Sequence, residues 1–160
     1  MIPKIIHYCW FGFKGKNKVI ENCIRSWKRY LPDWEIIEWN ETNTNLDISF
    51  IQKFYQLKKW AFVTDYVRLE KLFEFGGVYL DTDMLLVKSL DFLTNLHSFW
   101  GSEDKHYISC GIIGAEKENQ FIKQCLDFYK TNDFTDGINL EKITMPIIIT
   151  NIFKSRYNID

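Results

Sequence analysis

No run of eighteen or more apolar residues occurs in this chain, so a helix that spans a bilayer is excluded. A signal peptide is missing too. The apolar stretch 2–10 is too short for one, and Pro3, Lys4 and His7 interrupt it. Charge of one sign is also scarce. Lys and Arg number 20 against 21 Asp and Glu, a formal net charge of −1 over 160 residues. A general nucleic-acid binder would need a basic stripe, so that class is set aside. The four cysteines, Cys9, Cys23, Cys110 and Cys125, form no C-x-x-C pair and no metal-ligand spacing. Each sits among apolar neighbours, which reads as buried thiols in a reducing compartment rather than a disulfide pair. Internal repeats, linkers and low-complexity tracts are absent. So are a G-x-S-x-G elbow, a P-loop and the Rossmann glycine fingerprint.

Aromatic residues, by contrast, are abundant: 13 Phe, 8 Tyr and 6 Trp. That much burial potential excludes a disordered chain. A chain of this length buries about 68–70% of its unfolded surface, enough for one core.

The pattern alternates strands and helices. Residues 4–10 read as a first strand, followed by a loop with Gly12 and Gly15. Val19, Ile20, Cys23, Ile24, Trp27, Tyr30 and Leu31 recur at helical spacing, and Pro32-Asp33 stops that helix. A strand follows at 35–39, a polar loop at 40–45, a short helix at 49–57 and a longer helix at 60–75. Gly76-Gly77 suits a left-handed cap on it. Residues 78–80 form a buried strand, and 84–87 are expected to continue extended. Further strands are expected at 98–101 and 108–115, a helix at 118–129, a loop at 131–137 and a last helix at 146–157. Pro146 falls in the first turn of that helix. Alternation of this kind predicts an α/β fold with a mostly parallel sheet flanked by helices.

The strongest local signal is Tyr79-Leu80-Asp81-Thr82-Asp83. In an extended backbone, Asp81 and Asp83 would point to one face. They would stand at the carboxyl end of a strand, where open α/β sheets bind ligands. Two like charges there call for a cation or a proton between them. Oxygen-only ligation suits Mg²⁺ or Mn²⁺ shared with substrate phosphates. The plainer reading is a turn in which Asp makes local hydrogen bonds. Asp65 and Arg68 lie three residues apart on the 60–75 helix and share a face. At about 100° per residue, Asp65 projects between Leu72 and Leu69, inside the apolar arc. A carboxylate there needs a partner. The plain reading is an intrahelical ion pair. The sharper one has Arg68 facing a phosphate and Asp65 receiving sugar hydroxyls. Trp10, beside Phe11-Gly12 at a strand end, reads equally as a base-stacking platform or a core tryptophan. His7 reads as a satisfied core histidine, and His97 and His106 have no partners by spacing.

Several segments together resemble one family. They are His7-Tyr8-Cys9-Trp10-Phe11-Gly12, the helix ending Trp27-Lys28-Arg29-Tyr30-Leu31-Pro32, and Ile36-Ile37-Glu38-Trp39-Asn40. Ala61-Phe62-Val63-Thr64-Asp65-Tyr66-Val67-Arg68-Leu69 belongs with them, and above all the stretch from Phe75 to Asp83. Over residues 2 to about 150 the chain resembles glycosyltransferase family 32, proteins with a sugar-binding region containing a DXD motif. That family includes capsular-polysaccharide transferases and is distantly similar to glucosylating toxins.

The resemblance implies a GT-A-like nucleotide-diphospho-sugar transferase fold. It also implies metal-dependent, retaining transfer of a sugar from a nucleotide-diphospho-sugar to a glycan or lipid-linked saccharide, as in capsule or surface polysaccharide synthesis. By position, Trp10 would stack on the base, and Asp65 and Arg68 would hold the donor sugar. Asp81 would contact ribose and metal-bound water, Asp83 would ligate Mn²⁺ or Mg²⁺, and Tyr79 matches an aromatic near the donor. Asp65, Arg68, Asp81 and Asp83 are thus the expected catalytic set. The expected location is cytoplasmic, with peripheral membrane association left open. The chain is read as one domain over 1–160 that lacks the family's usual C-terminal segment. That segment carries a His and a Ser-Trp near the metal and diphosphate, and a poor transferase is expected without it. Ser109-Cys110-Gly111 also lacks the asparagine common there, on the acceptor side.

Three rival readings compete with this one. In a haloacid-dehalogenase-type phosphatase the first Asp of D-x-D attacks phosphorus, but Leu85 holds the fifth position and no acidic pair follows a later strand. A glycosidase needs two carboxylates flanking the bond, whereas Asp81 and Asp83 would approach from one side. A module that binds nucleotide sugar without turnover stays open.

Overall fold

The computed structural model describes residues 1–132, 134 and 139–159. Asn17 caps the first helix, α1 (Lys18–Tyr30), its side chain accepting from the amides of Val19 and Ile20. This helix links the parallel strands β1 (Ile5–Cys9) and β2 (Glu35–Trp39). Two further helices, α2 (Ser49–Gln56) and α3 (Trp60–Phe75), lead to β3 (Gly77–Leu80), which pairs parallel to β1 on its other side. The hairpin strands β4 (Ser98–Ser102) and β5 (Ile108–Ala115) come next, then α4 (Gln120–Thr131) and α5 (Met145–Tyr157).

The sheet order is β2-β1-β3-β5-β4. β5 runs antiparallel to β3, and β4 antiparallel to β5. β4 therefore runs in β3's direction, and four of the five strands point one way. The sheet is mixed but mostly parallel, with helices on both faces, as expected of a GT-A-like fold.

Alternation along the strands builds two cores. Ile6, Tyr8, Val78 and Leu80 face Trp27 and Cys23 of α1 on one side. Cys9, Tyr79, Cys110 and Ile113 face α2, α3, α4 and α5 on the other. His7 is fully buried, its Nε2 2.7 Å from the Gly76 carbonyl and its Nδ1 accepting from the Trp39 indole at 3.1 Å. Burial lowers its pKa to about 4, so it is the satisfied core histidine the sequence suggests. All four thiols are buried and unpaired.

Two local expectations are corrected. Residues 84–87 are not a strand. The Met84 amide donates to the Asp81 carbonyl at 3.0 Å, closing a turn directly after β3. The segment beyond is held by α1 instead of a strand partner: Trp27 Nε1 donates to the Met84 carbonyl, and Ser26 Oγ accepts from the Leu86 amide. Asp81-Thr82-Asp83 is thus a turn, and the shared face that an extended backbone would give does not apply. Gly76 caps α3 at φ 68°, ψ −165° rather than in the left-handed helical well. The loop expected at 131–137 lies mostly outside the described residues; Thr131 itself ends α4.

Candidate functional site

β1 and β3 are parallel neighbours, so their carboxyl ends meet at one edge of the sheet. The chain leaves β1 toward β2 on one side and returns as β3 on the other. That reversal is the switch point at which open α/β sheets form a ligand crevice. Trp10 follows β1 there and Asp81 follows β3. Helix α3 delivers Asp65 and Arg68 to the same edge because Gly76 and Gly77 turn the chain sharply into β3. Both have positive φ (68° and 104°), and a Cβ on Gly77 would lie 2.7 Å from the Ile5 carbonyl oxygen.

Arg68 is the centre of this site. Its side chain is buried, and its guanidinium joins three elements. Nη2 meets Asp65 Oδ1 at 3.2 Å, and Nη1 meets Asp81 Oδ1 at 3.4 Å. Nη1 also donates to the Cys110 carbonyl of β5 at 2.6 Å. The plane lies over the Tyr79 ring, 4.4 Å from its centroid, and the Tyr79 hydroxyl donates to Asp81 Oδ1 at 2.9 Å. The intrahelical Asp65–Arg68 pair of the plain reading is present, but buried and shared with Asp81. Burial raises the Asp65 pKa to about 7, against the pull of Arg68 and with a push from Asp81. Burial also holds the Cys9 and Cys110 thiols up at about 12, so neither serves as a nucleophile.

Two chambers open on this centre. The larger, 630 Å³, is lined by Trp10, Lys14, Trp60, Thr64 and Asp83. The smaller, 480 Å³, is lined by Asp65, Glu103, Ser109 and Thr144. Arg68 and Asp81 line both. Tyr79 reaches only the first and Asp65 only the second. The six residues singled out in the sequence therefore fall around one centre, on two sides of it. His97 and His106 line neither chamber.

Trp10 is half-buried on the chamber wall rather than in the core. Its indole Nε1 donates to the Lys14 carbonyl at 2.5 Å, and the Lys16 ammonium lies 5.3 Å from its ring centroid. The turn after it is fixed from two sides. The Gly12 amide donates to Glu41 at 2.6 Å, and Trp60 packs where a Gly12 Cβ would be, 3.0 Å away. Sequence reasoning missed Trp60, Lys14 and Glu41. An aromatic opening the helix that bears Asp65 and Arg68 was the available signal for Trp60.

The donor set suits a hard divalent cation. Asp81 commits Oδ1 to Tyr79 and Arg68. Its Oδ2 faces Gly111, where even a Cβ would stand only 3.2 Å away, so the missing side chain leaves that oxygen uncrowded. Asp83 is exposed and makes no side-chain hydrogen bond among the described residues. Two carboxylates, Asp65 and Asp81, face the Arg68 guanidinium, and Asp83 stands on the wall of the larger chamber. No cluster of three or more His, Cys, Asp or Glu ligands exists among the described residues. Two carboxylates completed by phosphate oxygens and water match how Mg²⁺ and Mn²⁺ are held.

Known proteins agree with this architecture. The family described as "glycosyltransferase sugar-binding region containing DXD motif" matches residues 17–104, just over half of the chain. Lactosylceramide 4-alpha-galactosyltransferase of Homo sapiens is 29% identical over 94 residues, 58% of this chain and 24% of that protein. Inositol phosphoceramide mannosyltransferase 3 of Schizosaccharomyces pombe is 27% identical over 135 residues, 77% of this chain and 36% of that one. The chain thus spans about a quarter to a third of the length of these relatives. Among solved structures, the PaToxG glycosyltransferase superposes with a TM-score of 0.78 at 20% identity, covering 98% of this chain and 70% of that one. A mutant transferase superposes at 0.63 with 12% identity, covering 99% and 87%. The family match over more than half of the chain, which includes the turn bearing Asp81 and Asp83, shows the family: this chain belongs to the glycosyltransferases defined by a sugar-binding region containing a DXD motif.

Proposed function

We propose that the chain is the donor-binding domain of a metal-dependent, retaining glycosyltransferase. It would move a sugar from a nucleotide-diphospho-sugar to a glycan or lipid-linked saccharide. The observation that carries this reading is the pair Arg68 and Asp81, shared by two chambers at the switch point of the sheet. The larger chamber takes the nucleoside diphosphate, with Trp10 against the base. The smaller takes the sugar, whose hydroxyls Asp65 receives. The diphosphate lies across the shared wall.

Each residue then has a task. Arg68, fixed by four protein contacts before any ligand arrives, presents positive charge where the leaving diphosphate develops negative charge. Preorganisation matters because the charge need not be reoriented during reaction. Tyr79 holds Asp81 in place through its hydroxyl, and Asp81 and Asp83 would be the oxygen ligands for Mn²⁺ or Mg²⁺. A bound divalent ion supplies Lewis-acid stabilisation of the diphosphate. Asp65 is pinned by Arg68, so retention by same-face attack is favoured over a double displacement through that carboxylate.

The names of the relatives, which specify ceramide-linked acceptors, support the lipid-linked arm more directly than capsule synthesis. Four buried free thiols support a cytoplasmic location. A second reading, donor binding without transfer, draws support from the exposure of Asp83 and Lys14, which leaves the larger chamber wet. A paired assay of nucleotide release and sugar incorporation separates the two. Transfer predicts both products in step, and binding without transfer predicts neither or release alone.

A further inference from the structure

Outside the two chambers, a further groove runs along α1. Asn22, Arg25, Ser26, Arg29 and Tyr30 of α1 recur at i, i+3, i+4, i+7 and i+8, a single helix face. With Leu85 and Val87 they line a 400 Å³ groove. Leu85 is 60% exposed and Val87 72% exposed. Both stand in the segment that α1 holds through Trp27 and Ser26, so their exposure follows from a fixed backbone.

The charges here have one sign. Neither Arg25 nor Arg29 makes an ion pair among the described residues. Arg25 donates only to Asn22 at 2.9 Å, and Arg29 lies over the Tyr30 ring at 5.5 Å. No acidic side chain lines the groove. Glu21, one turn before Arg25, makes no bridge to it. Lys88 and the 60% exposed Phe92 continue the same segment, the ammonium 4.7 Å from the ring centroid.

We infer that this face docks on an anionic phospholipid bilayer. Leu85 and Val87 enter the acyl boundary while Arg25, Arg29 and Lys88 meet lipid phosphates. Exposed apolar side chains beside cations without ion pairs fit that partner, because lipid phosphates complement the arginines while the acyl boundary takes Leu85 and Val87 out of water. The groove adjoins the larger chamber: Val19 lines the chamber and Asn22, one helical step on, lines the groove. Docking would set the chamber mouth beside the membrane. The inference rests on exposure and charge and stands apart from the reading of the chambers.

Vesicle co-sedimentation tests it, with phosphatidylcholine alone and with phosphatidylglycerol added, at low and high salt. Binding is expected only to the anionic vesicles, and weaker at high salt. Arg25→Gln with Arg29→Gln should lower the partition by about thirty-fold, and Leu85→Ser with Val87→Ser by at least about tenfold. Circular dichroism should show both variants folded, and their affinity for nucleotide in solution should be unchanged. No sedimentation with either vesicle, equal sedimentation with both, or folded variants that bind like the parent would overturn the proposal. Dimerisation lost in the Leu85→Ser/Val87→Ser variant without any vesicle binding would overturn it too, assigning the face to a second copy.

Discussion

Arg68 sets one positive charge against Asp65 and Asp81, but burial is what moves the two buried groups that titrate nearest neutrality. Asp65 is buried with its pKa raised to about 7, while His7, buried on the neighbouring strand, is lowered to about 4. Their effects on stability have opposite signs. Below its ordinary value of 6.5, the unfolded chain protonates His7 and the native chain does not. That stability is full above 6.5 and is lost as pH falls toward about 4, a total of about 3 kcal/mol. Asp65 keeps a proton that the unfolded chain releases above 3.8, so its contribution declines as pH rises toward 7. The two largely offset one another in the parent. Urea unfolding between pH 4.5 and 6.5 should show stability falling with pH in His7→Gln and rising with pH in Asp65→Asn; identical slopes in both would contradict the assignment. Trp10, on the chamber wall, gives a simpler test. Trp10→Ala should weaken nucleotide binding by about 1–3 kcal/mol, the stacking range, with the melting temperature little changed. Collapse of the fold without a separate effect on binding would make it a core residue.

At the scale of elements, periodicity made most of the chain legible. The apolar spacing of α1, α3 and α4 and the short apolar strands around β1, β3 and β5 all stand where the pattern puts them. What pattern could not supply was local geometry. Met84 to Val87 look like strand residues, yet the turn closed by Asp81 ends β3, and side chains of α1 hold the backbone from Met84 to Leu86. The antiparallel setting of β5 depends on a hairpin whose partner is chosen in space, not in sequence. In the site, Asp65, Arg68, Asp81 and Asp83 were legible because like charges and a buried carboxylate need explaining. Trp60 and Glu41 were not, because their role is to hold Gly12 across a loop. Glycine positions carry the sharpest prediction at this scale. Gly77→Ala puts a methyl 2.7 Å from the Ile5 carbonyl at φ 104° and should cost about 2–3 kcal/mol or more. Gly15→Ala, with nothing within 4 Å, should change the unfolding midpoint little. Equal effects at the two positions would show that the α3–β3 junction is not the constraint described.

At the scale of the whole molecule, the sheet brings the ends of β1 and β3 together, and Arg68 of α3 ties the end of β3 to β5 as a wall between two chambers. The central claim is that this wall, with Asp81 and Asp83, binds a nucleotide diphosphate through a divalent ion. Charge argues for it, since Asp81 and Asp83 on the wall of the larger chamber would repel a bare diphosphate. Calorimetric titration of UDP and GDP, each with Mn²⁺, with Mg²⁺ and with chelator, tests it most directly in the parent and in Asp83→Ala. Binding of at least one nucleotide should require the metal, and Asp83→Ala should remove most of that requirement's benefit while Asp81 and Arg68 remain in place. Equal affinity in metal and in chelator, or a metal dependence untouched by Asp83→Ala, would contradict the account.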